Sequence, residues 1–158
     1  MVTAWSLRVG FIVVSTVAAL VASASAGSPS SPRADVIHCL EEAAGDEASV
    51  ALHRATGAVR FVRLPPGGLG LAGASEVQRA DSFLALHGAA FGLREPVAQL
   101  SAPREQLGPF GGRRLSYRQI ERGVPVWGAW LRLHFDAAGD LVAANGTVVP
   151  VPANLGMV

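Results

Sequence analysis

Residues 115–149 read LSYRQIERGVPVWGAWLRLHFDAAGDLVAANGTVV, and this stretch decides the fold. It contains three β-prone runs, residues 115–121, 126–136 and 141–149, joined by two short connections that contain glycine. Within the middle run, apolar side chains alternate with polar or aromatic ones: Leu131, Leu133 and Phe135 against Trp130, Arg132 and His134. Because successive side chains of a strand point to opposite faces, the pattern predicts an antiparallel meander with one apolar face and one mixed, accessible face.

Upstream of the meander the sequence predicts a β-hairpin and a helix. The runs 50–53 and 59–62 flank a reversal in which Gly57 can adopt the positive φ of a tight turn. Ser75 lies three residues before Gln78, the spacing of a capping box. Apolar positions then recur every three or four residues: Ala80, Phe83, Leu84, His87, Ala90 and Phe91. The expected fold is therefore α+β, with one helix packed on a curved antiparallel sheet in the order hairpin, helix, three-stranded meander.

Glycine and proline give further expectations for this helix. Gly92 offers a left-handed cap on which Leu93 folds back, and Pro96 should keep the helix from restarting. Gly88 lies inside the helical pattern, where glycine costs about 1 kcal/mol relative to alanine. We therefore expect close packing at Gly88, against a crossing of the sheet.

Residues 1–26 have the organisation of a secretory signal peptide. Arg8 precedes an apolar run over residues 9–22, and two small-x-small sites end at Ala24 and Ala26. The run is shorter than the roughly 20 residues that cross a bilayer, and no basic stop follows it. We expect cleavage after Ala26, no stable membrane anchor, and a secreted or extracellular protein of a bacterium.

The rest of the chain divides into three expected segments. Residues 27–48 are expected to form a flexible leader, since residues 27–34 are rich in Ser and Pro; residues 41–47 are left open between a helical turn and a loop. Residues 49–150 are expected to form the folded module, and residues 151–158 a tail. The single Cys39 is expected to be a small buried apolar residue.

The sequence gives no support for catalytic, metal or nucleic-acid chemistry. Cleavage would leave twelve arginines against twelve acidic residues, so no basic footprint for nucleic acid is predicted. There is no His-Glu-x-x-His, no Gly-x-Ser-x-Gly and no phosphate loop. The four histidines fall in four different predicted elements: His38, His53, His87 and His134. We therefore expect no catalytic residue, metal site or cofactor in this chain, and we interpret Asn145-Gly146-Thr147 as a turn and not a glycosylation site.

Two segments together resemble the fungalysin/thermolysin propeptide module, the amino-terminal pro-region of thermolysin-like secreted zinc metallopeptidases. The first segment is residues 80–84 through 90–93, ending Phe-Gly-Leu, and the second is residues 115–119 followed by Gly-Val-Pro-Val-Trp-Gly. The second resembles the family pattern Arg-Tyr-x-Gln, Gly-Val-Pro-Val-aromatic-Gly, and Asp136, Gly139, Asn145 and Gly146 complete it in order. The likeness extends over about residues 49–150.

The resemblance implies a set of motif or partner-contact residues: Gln119, Gly123, Val124, Pro125, Val126, Trp127, Gly128 and Trp130. Most of these also have a structural interpretation as turn, bulge or core. Gln119, Trp127 and Trp130 are the ones expected to touch a partner. Trp127 departs mildly from the family, in which Phe or Tyr is commoner at this position.

The resemblance further implies a non-catalytic intramolecular chaperone and temporary inhibitor. Its partner would be a thermolysin-like peptidase domain in cis or in trans, and zinc is expected only in that domain. Because the chain stops at Val158, before a second pro-subdomain or a catalytic domain, we expect a truncated or free-standing copy. The alternatives are a free-standing exported binding domain for another ligand and, less favoured, an enzyme in its own right.

Overall fold

The structure is a computed structural model that describes residues 32–108 and 111–150. It contains three α-helices and a 3₁₀ turn: α1 Pro32–Ala44, α2 Glu76–His87, the turn Gly88–Phe91 and α3 Pro96–Gln99. Six strands complete it: β1 Ser49–Leu52, β2 Val59–Arg63, β3 Arg104–Leu107, β4 Arg113–Glu121, β5 Val124–Phe135 and β6 Leu141–Thr147. The strands form one antiparallel sheet in the order β1-β2-β6-β5-β4-β3. The predicted α+β class is confirmed.

The core lies between the helices and one face of the sheet. One row of paired residues crosses all six strands: Val50, Val62, Ala144, Leu133, Leu115 and Glu105. The four central members of this row are completely buried, in one cluster with Leu40 of α1 and Phe83 of α2. Since paired residues of neighbouring strands point to the same side, this row marks the inner face of the sheet.

The hairpin β1–β2 and the meander β4–β5–β6 form as predicted, and Gly57 has the expected positive φ of 66°. The strand β3 was not predicted. All four of its residues are exposed, at the edge of the sheet beside β4. A short polar strand that buries nothing has no alternation of apolar residues by which it can be recognised.

The helix α2 begins where the sequence predicts, but it ends at His87, and the 3₁₀ turn Gly88–Phe91 continues it to the predicted cap at Gly92. The Ser75 hydroxyl accepts a hydrogen bond from the Gln78 amide at 3.3 Å, while the Gln78 side chain accepts one from the Ala74 amide at 2.7 Å. Gly92 has a φ of 94°, and the Leu93 amide donates to the Gly88 carbonyl at 3.1 Å. The capping residues are thus confirmed. The Gln78 side chain, however, accepts from the Ala74 amide, one residue before the Ser75 amide that a capping box would use.

The expectation for Pro96 is wrong, and the one for Gly88 is right about close packing but wrong about its partner. Pro96 begins the short helix α3, because the first position of a helix needs no backbone donor and suits the fixed φ of proline. A Cβ atom at Gly88 would lie 2.7 Å from Cγ of Pro96. The close packing at Gly88 is therefore against this proline and not against the sheet.

The interpretation of residues 27–48 as a flexible leader is wrong for the part that forms α1. Leu40 and Ala44 are buried in the core, and Val36 and Ile37 pack against it, so apolar residues recur along one side of this helix. The helix includes residues 41–44, which decides between the two alternatives left open there. Cys39 lies outside this apolar side and is exposed, contrary to expectation. The predicted signal peptide and the tail 151–158 lie outside the described residues.

The interpretation of Asn145-Gly146-Thr147 as a turn is also wrong, because these residues end strand β6. Gly146 is paired with Leu131 of β5. A Cβ atom at Gly146 would lie 2.4 Å from the carbonyl oxygen of Trp130. Glycine is needed here for the close approach of two strands, and not for a reversal of the chain.

Candidate partner-binding site

The tip of the β4–β5 hairpin is a two-residue turn. Glu121 pairs with Val124, and the intervening Arg122 and Gly123 have φ values of 50° and 81°. Two successive positive φ angles are the requirement of a type I′ turn, whose twist matches that of the flanking strands. The turn therefore directs the start of β5 straight back along β4.

A large bulge interrupts β5 beyond this turn. Arg118 pairs with Trp130, but the next pair of the ladder joins Ile120 to Pro125. Residues 126–129 of β5 thus face a single residue, Gln119, of β4. Gly128 has a φ of 73°, which a residue with a side chain adopts only with strain. The extra residues leave the plane of the ladder and bend the strand locally.

The bulge presents apolar side chains to solvent. Trp127 is 98% exposed, and Val124 beside the turn is 65% exposed. Pro125 and Gly128 are exposed as well, while Val126 is half-buried. Large apolar side chains grouped at an exposed position are typical of protein interaction sites. The structure therefore brings most of the predicted motif residues together on one projecting hairpin.

Gln119 has a different place from the one expected, because it is completely buried. Its Nε2 donates to the Val149 carbonyl at 2.7 Å, and its Oε1 accepts from the Val149 amide at 2.8 Å. Its own backbone forms an isolated bridge to Leu100. Gln119 therefore cannot touch a partner in this conformation; it fastens the chain beyond β6 to the sheet beneath the bulge.

Trp130 lies at the base of the bulge and is half-buried. The guanidinium carbon of Arg132 lies 4.2 Å from the centroid of its ring, a cation–π contact. One face of this indole is thus already covered within the protein. Trp130 therefore contributes more to the support of the bulge than to its exposed apolar surface.

A groove of about 420 Å³ lies between α2, α3 and β4, and no pattern in the sequence predicts it. Its apolar lining includes Leu84, Pro96 and Leu100, and the Tyr117 hydroxyl is buried without a hydrogen-bond partner. Burial raises the pKa of Tyr117, and the carboxylate of Asp81 adds to this effect. The phenol is therefore neutral at physiological pH and has an unused donor. Residues from four separate segments line the groove, so no local pattern reveals it.

The histidines take up separate positions. On the exposed side of α1, the Nε2 atom of His38 lies 3.3 Å from Oε1 of Glu42. The Nε2 atom of His134 lies 2.8 Å from Oδ1 of Asn145. His87 is buried against Phe83, and this burial lowers its pKa. In residues 32–108 and 111–150, no three His, Cys, Asp or Glu side chains are grouped so that they could hold a metal ion.

No helix in the described part of the chain is both long enough and apolar enough to span a membrane. Residues 105–148 match the family model of the Fungalysin/Thermolysin Propeptide Motif, a non-catalytic motif. The match includes β4, β5, β6 and all but the first residue of β3, so it contains the turn and the bulge. It confirms the resemblance for these residues, whereas the likeness in residues 80–93 lies outside the match. No curated protein matches the chain.

Proposed function

We propose, from the premise that residues 105–148 form a fungalysin/thermolysin propeptide motif, that this chain is the chaperone and temporary inhibitor of a secreted thermolysin-like zinc metalloendopeptidase. The motif itself implies a pro-region of such peptidases. In this role the module binds the peptidase domain and takes no part in bond cleavage. Zinc belongs to the peptidase domain, which the module would meet in cis or in trans.

The observation that supports this proposal most directly is the position of Trp127. The side chain is 98% exposed although it lies in the middle of the matched motif. Burying a tryptophan removes about 150–250 Å² from water, worth roughly 4–6 kcal/mol before the cost of association is subtracted. Tryptophan is also among the residues that most often dominate binding energy at interfaces. Trp127 is therefore the proposed anchor.

The backbone around Trp127 favours binding because it is held on both sides. The type I′ turn at Arg122 and Gly123 closes one end of the bulge, and the Arg118–Trp130 pair closes the other. Below it, Gln119 is fixed through its two hydrogen bonds to Val149. An anchor on a constrained backbone loses less conformational freedom when it binds.

The test is inhibition of a mature thermolysin-like zinc peptidase by the full chain, followed with a peptide substrate. We expect inhibition by the native chain and a loss of about tenfold or more in affinity for Trp127→Ala, the usual effect of truncating an interface anchor. Leu86→Ala is the matched control, because Leu86 is also an exposed large apolar residue but lies on α2. An equal effect of both substitutions, or no inhibition by the native chain, would contradict the proposal.

A second assay addresses the chaperone role. A denatured thermolysin-like peptidase domain is diluted into refolding buffer with and without the native chain. We expect a higher yield of active peptidase with the native chain, since a module that binds the folded state preferentially stabilises it. A yield that does not change would leave inhibition as the only role and would contradict the chaperone part.

The alternative, an exported binding domain for another ligand, is favoured by one observation. The groove between α2, α3 and β4 is of a size that holds a small molecule, and the Tyr117 hydroxyl in it has no partner. A chain that ignored peptidases but was stabilised by a ligand sensitive to Tyr117→Phe would establish this alternative. Trp127→Ala would then leave ligand binding unchanged.

A further inference from the structure

The outer face of the sheet, opposite the helices, consists of three rows of paired residues. The first row crosses all six strands: Ala51, Phe61, Asn145, Arg132, Ser116 and Arg104. The second also crosses all six: Ser49, Arg63, Ala143, His134, Arg114 and Gln106. The third crosses three strands: Thr147, Trp130 and Arg118. Each of these residues is exposed or half-buried, in contrast to the four central residues of the inner row.

All the charged residues on this outer face are basic. Five of its residues are arginines: Arg63, Arg104, Arg114, Arg118 and Arg132. None of its positions holds an aspartate or glutamate, although residues 32–108 and 111–150 contain as many acidic residues as arginines. Within these described residues, none of the five arginines forms an ion pair with an acidic side chain. The module is therefore balanced in charge but strongly polarised, and we call this surface the arginine face.

Contacts within the arginine face leave most of its charge available. Arg132 lies over the ring of Trp130, and Arg114 donates a hydrogen bond to Gln106, while its buried Nε has no acceptor. Neither contact neutralises a guanidinium group. The three remaining arginines are exposed on three different strands: Arg63, Arg104 and Arg118.

We propose that the arginine face docks on an acidic, carboxylate-bearing surface of the partner peptidase domain, so that it orients the module while Trp127 anchors it. This rests on the proposed function. The planar guanidinium group matches the geometry of a carboxylate and pairs with it through two hydrogen bonds. A surface of one sign also raises the rate of encounter with a partner of opposite charge.

The arginine face is continuous with the bulge. Arg118 and Trp130 belong to its third row, and they are also the ladder pair that adjoins residues 126–129 of the bulge. With strands about 4.8 Å apart and about 6.6 Å between alternate residues, the three rows cover about 24 Å by 13 Å, or roughly 300 Å². A stable interface buries about 800 Å² on each partner. The arginine face is too small to bind alone, so the bulge belongs to the same interface.

A protein surface fits these observations better than nucleic acid does. Base recognition on a sheet uses exposed aromatic rings, but Arg132 already covers one face of Trp130. Nucleic-acid-binding domains also carry a clear excess of basic residues, whereas arginines and acidic residues balance in the described part of this chain. Nucleic acid is therefore an outcome for the experiment to exclude.

The experiment measures binding of the full chain to fluorescent poly-L-glutamate at low salt, with a short thymidine oligonucleotide of equal charge as the comparison. We expect poly-L-glutamate to bind more tightly than the oligonucleotide, and its binding to weaken as salt is raised. Arg63→Glu with Arg118→Glu should weaken it by about tenfold or more, roughly the loss of one or two charged contacts. The matched control is Arg54→Glu with Arg94→Glu, which makes the same change of net charge at exposed positions outside the face.

Three other outcomes overturn the proposal. Equal weakening by the two double variants would show a response to net charge alone, and tighter binding of the oligonucleotide would indicate a nucleic-acid surface. Self-association of the native chain that disappears in Arg63→Glu with Arg118→Glu would indicate an interface between copies. Trp127→Ala separates the two proposals, since it should weaken peptidase inhibition by about tenfold or more but leave poly-L-glutamate binding unchanged. If the peptidase is not inhibited but poly-L-glutamate binds as expected, the proposed function fails, while the preference of the arginine face for acidic partners stands.

Discussion

The side chain of Gln119 forms both hydrogen bonds that a backbone neighbour would form with Val149, donating to its carbonyl at 2.7 Å and accepting from its amide at 2.8 Å. The bulge in β5 leaves Gln119 without an ordinary ladder partner, and the chain beyond β6 has left the sheet. The buried amide thus replaces a strand and satisfies polar groups that would otherwise be costly to bury. A residue that looks like a contact residue in the sequence is an internal support of the site.

Replacing Gln119 with leucine should destabilise the protein by about 2–3 kcal/mol, because two polar groups of Val149 lose their partners. Equilibrium unfolding in urea measures this. Gln106→Leu is the control, since Gln106 is exposed on the edge strand β3 and its loss should change stability by less than about 0.5 kcal/mol. Equal unfolding midpoints for the two variants would show that the buried amide contributes nothing special.

Gly146→Ala should be among the most damaging small substitutions, at about 2 kcal/mol or more, because the new methyl group would meet the carbonyl oxygen of Trp130. Gly57→Ala is the comparison. Its Cβ would enter open space, but its φ of 66° favours glycine, so about 1 kcal/mol is expected. Thermal unfolding of the two variants side by side decides the matter, and a smaller effect at Gly146 than at Gly57 would contradict the close approach of the strands.

Trp127→Ala should leave the free energy of unfolding within about 0.5 kcal/mol of the native value, because the side chain is almost fully exposed. Trp130→Ala should cost about 1–2 kcal/mol, since Trp130 is half-buried and packs against Arg132. Urea unfolding of both variants separates a binding residue from a supporting one. A large loss of stability for Trp127→Ala would mean that the indole packs within the protein.

The stability of the fold should decrease as the pH falls below about 6.5, because burial lowers the pKa of His87 from that value. The unfolded chain then takes up a proton before the folded chain does, so the contribution of His87 is complete above its unfolded pKa and is lost as the pH falls towards the folded one. Urea midpoints between neutral and mildly acidic pH measure the slope. His87→Leu should flatten it, whereas His38→Gln, at an exposed position, should not.

The protein recovered from an exporting host should begin at Gly27, because the predicted signal peptide ends at Ala26. Intact-mass measurement of the purified chain checks this. Ala24→Leu with Ala26→Leu should block cleavage by removing the small residues of both sites. A mass that includes residues 1–26 in the native chain would contradict cleavage and favour an anchor.

Much of the fold could be predicted because the decisive patterns are local. The alternation in β5, the capping residues of α2 and the turn glycines are set by the geometry of a few consecutive residues, and the structure confirms them. The strand β3 and the helix α1 were missed for different reasons. The exposed β3 has no apolar pattern, while the apolar side of α1 lies beside a Ser- and Pro-rich stretch that suggested a leader.

The candidate site was predicted in part. The sequence by itself determined the fold class, the α2 helix, the meander and the motif around Trp127, because periodicity, capping and turn chemistry depend on neighbouring residues. Only the tertiary structure decided that Gln119 is buried, that Gly146 serves a close approach, and that arginines from four strands share one face. These properties depend on the register between strands distant in sequence, and register follows from how the whole apolar face packs against the helices.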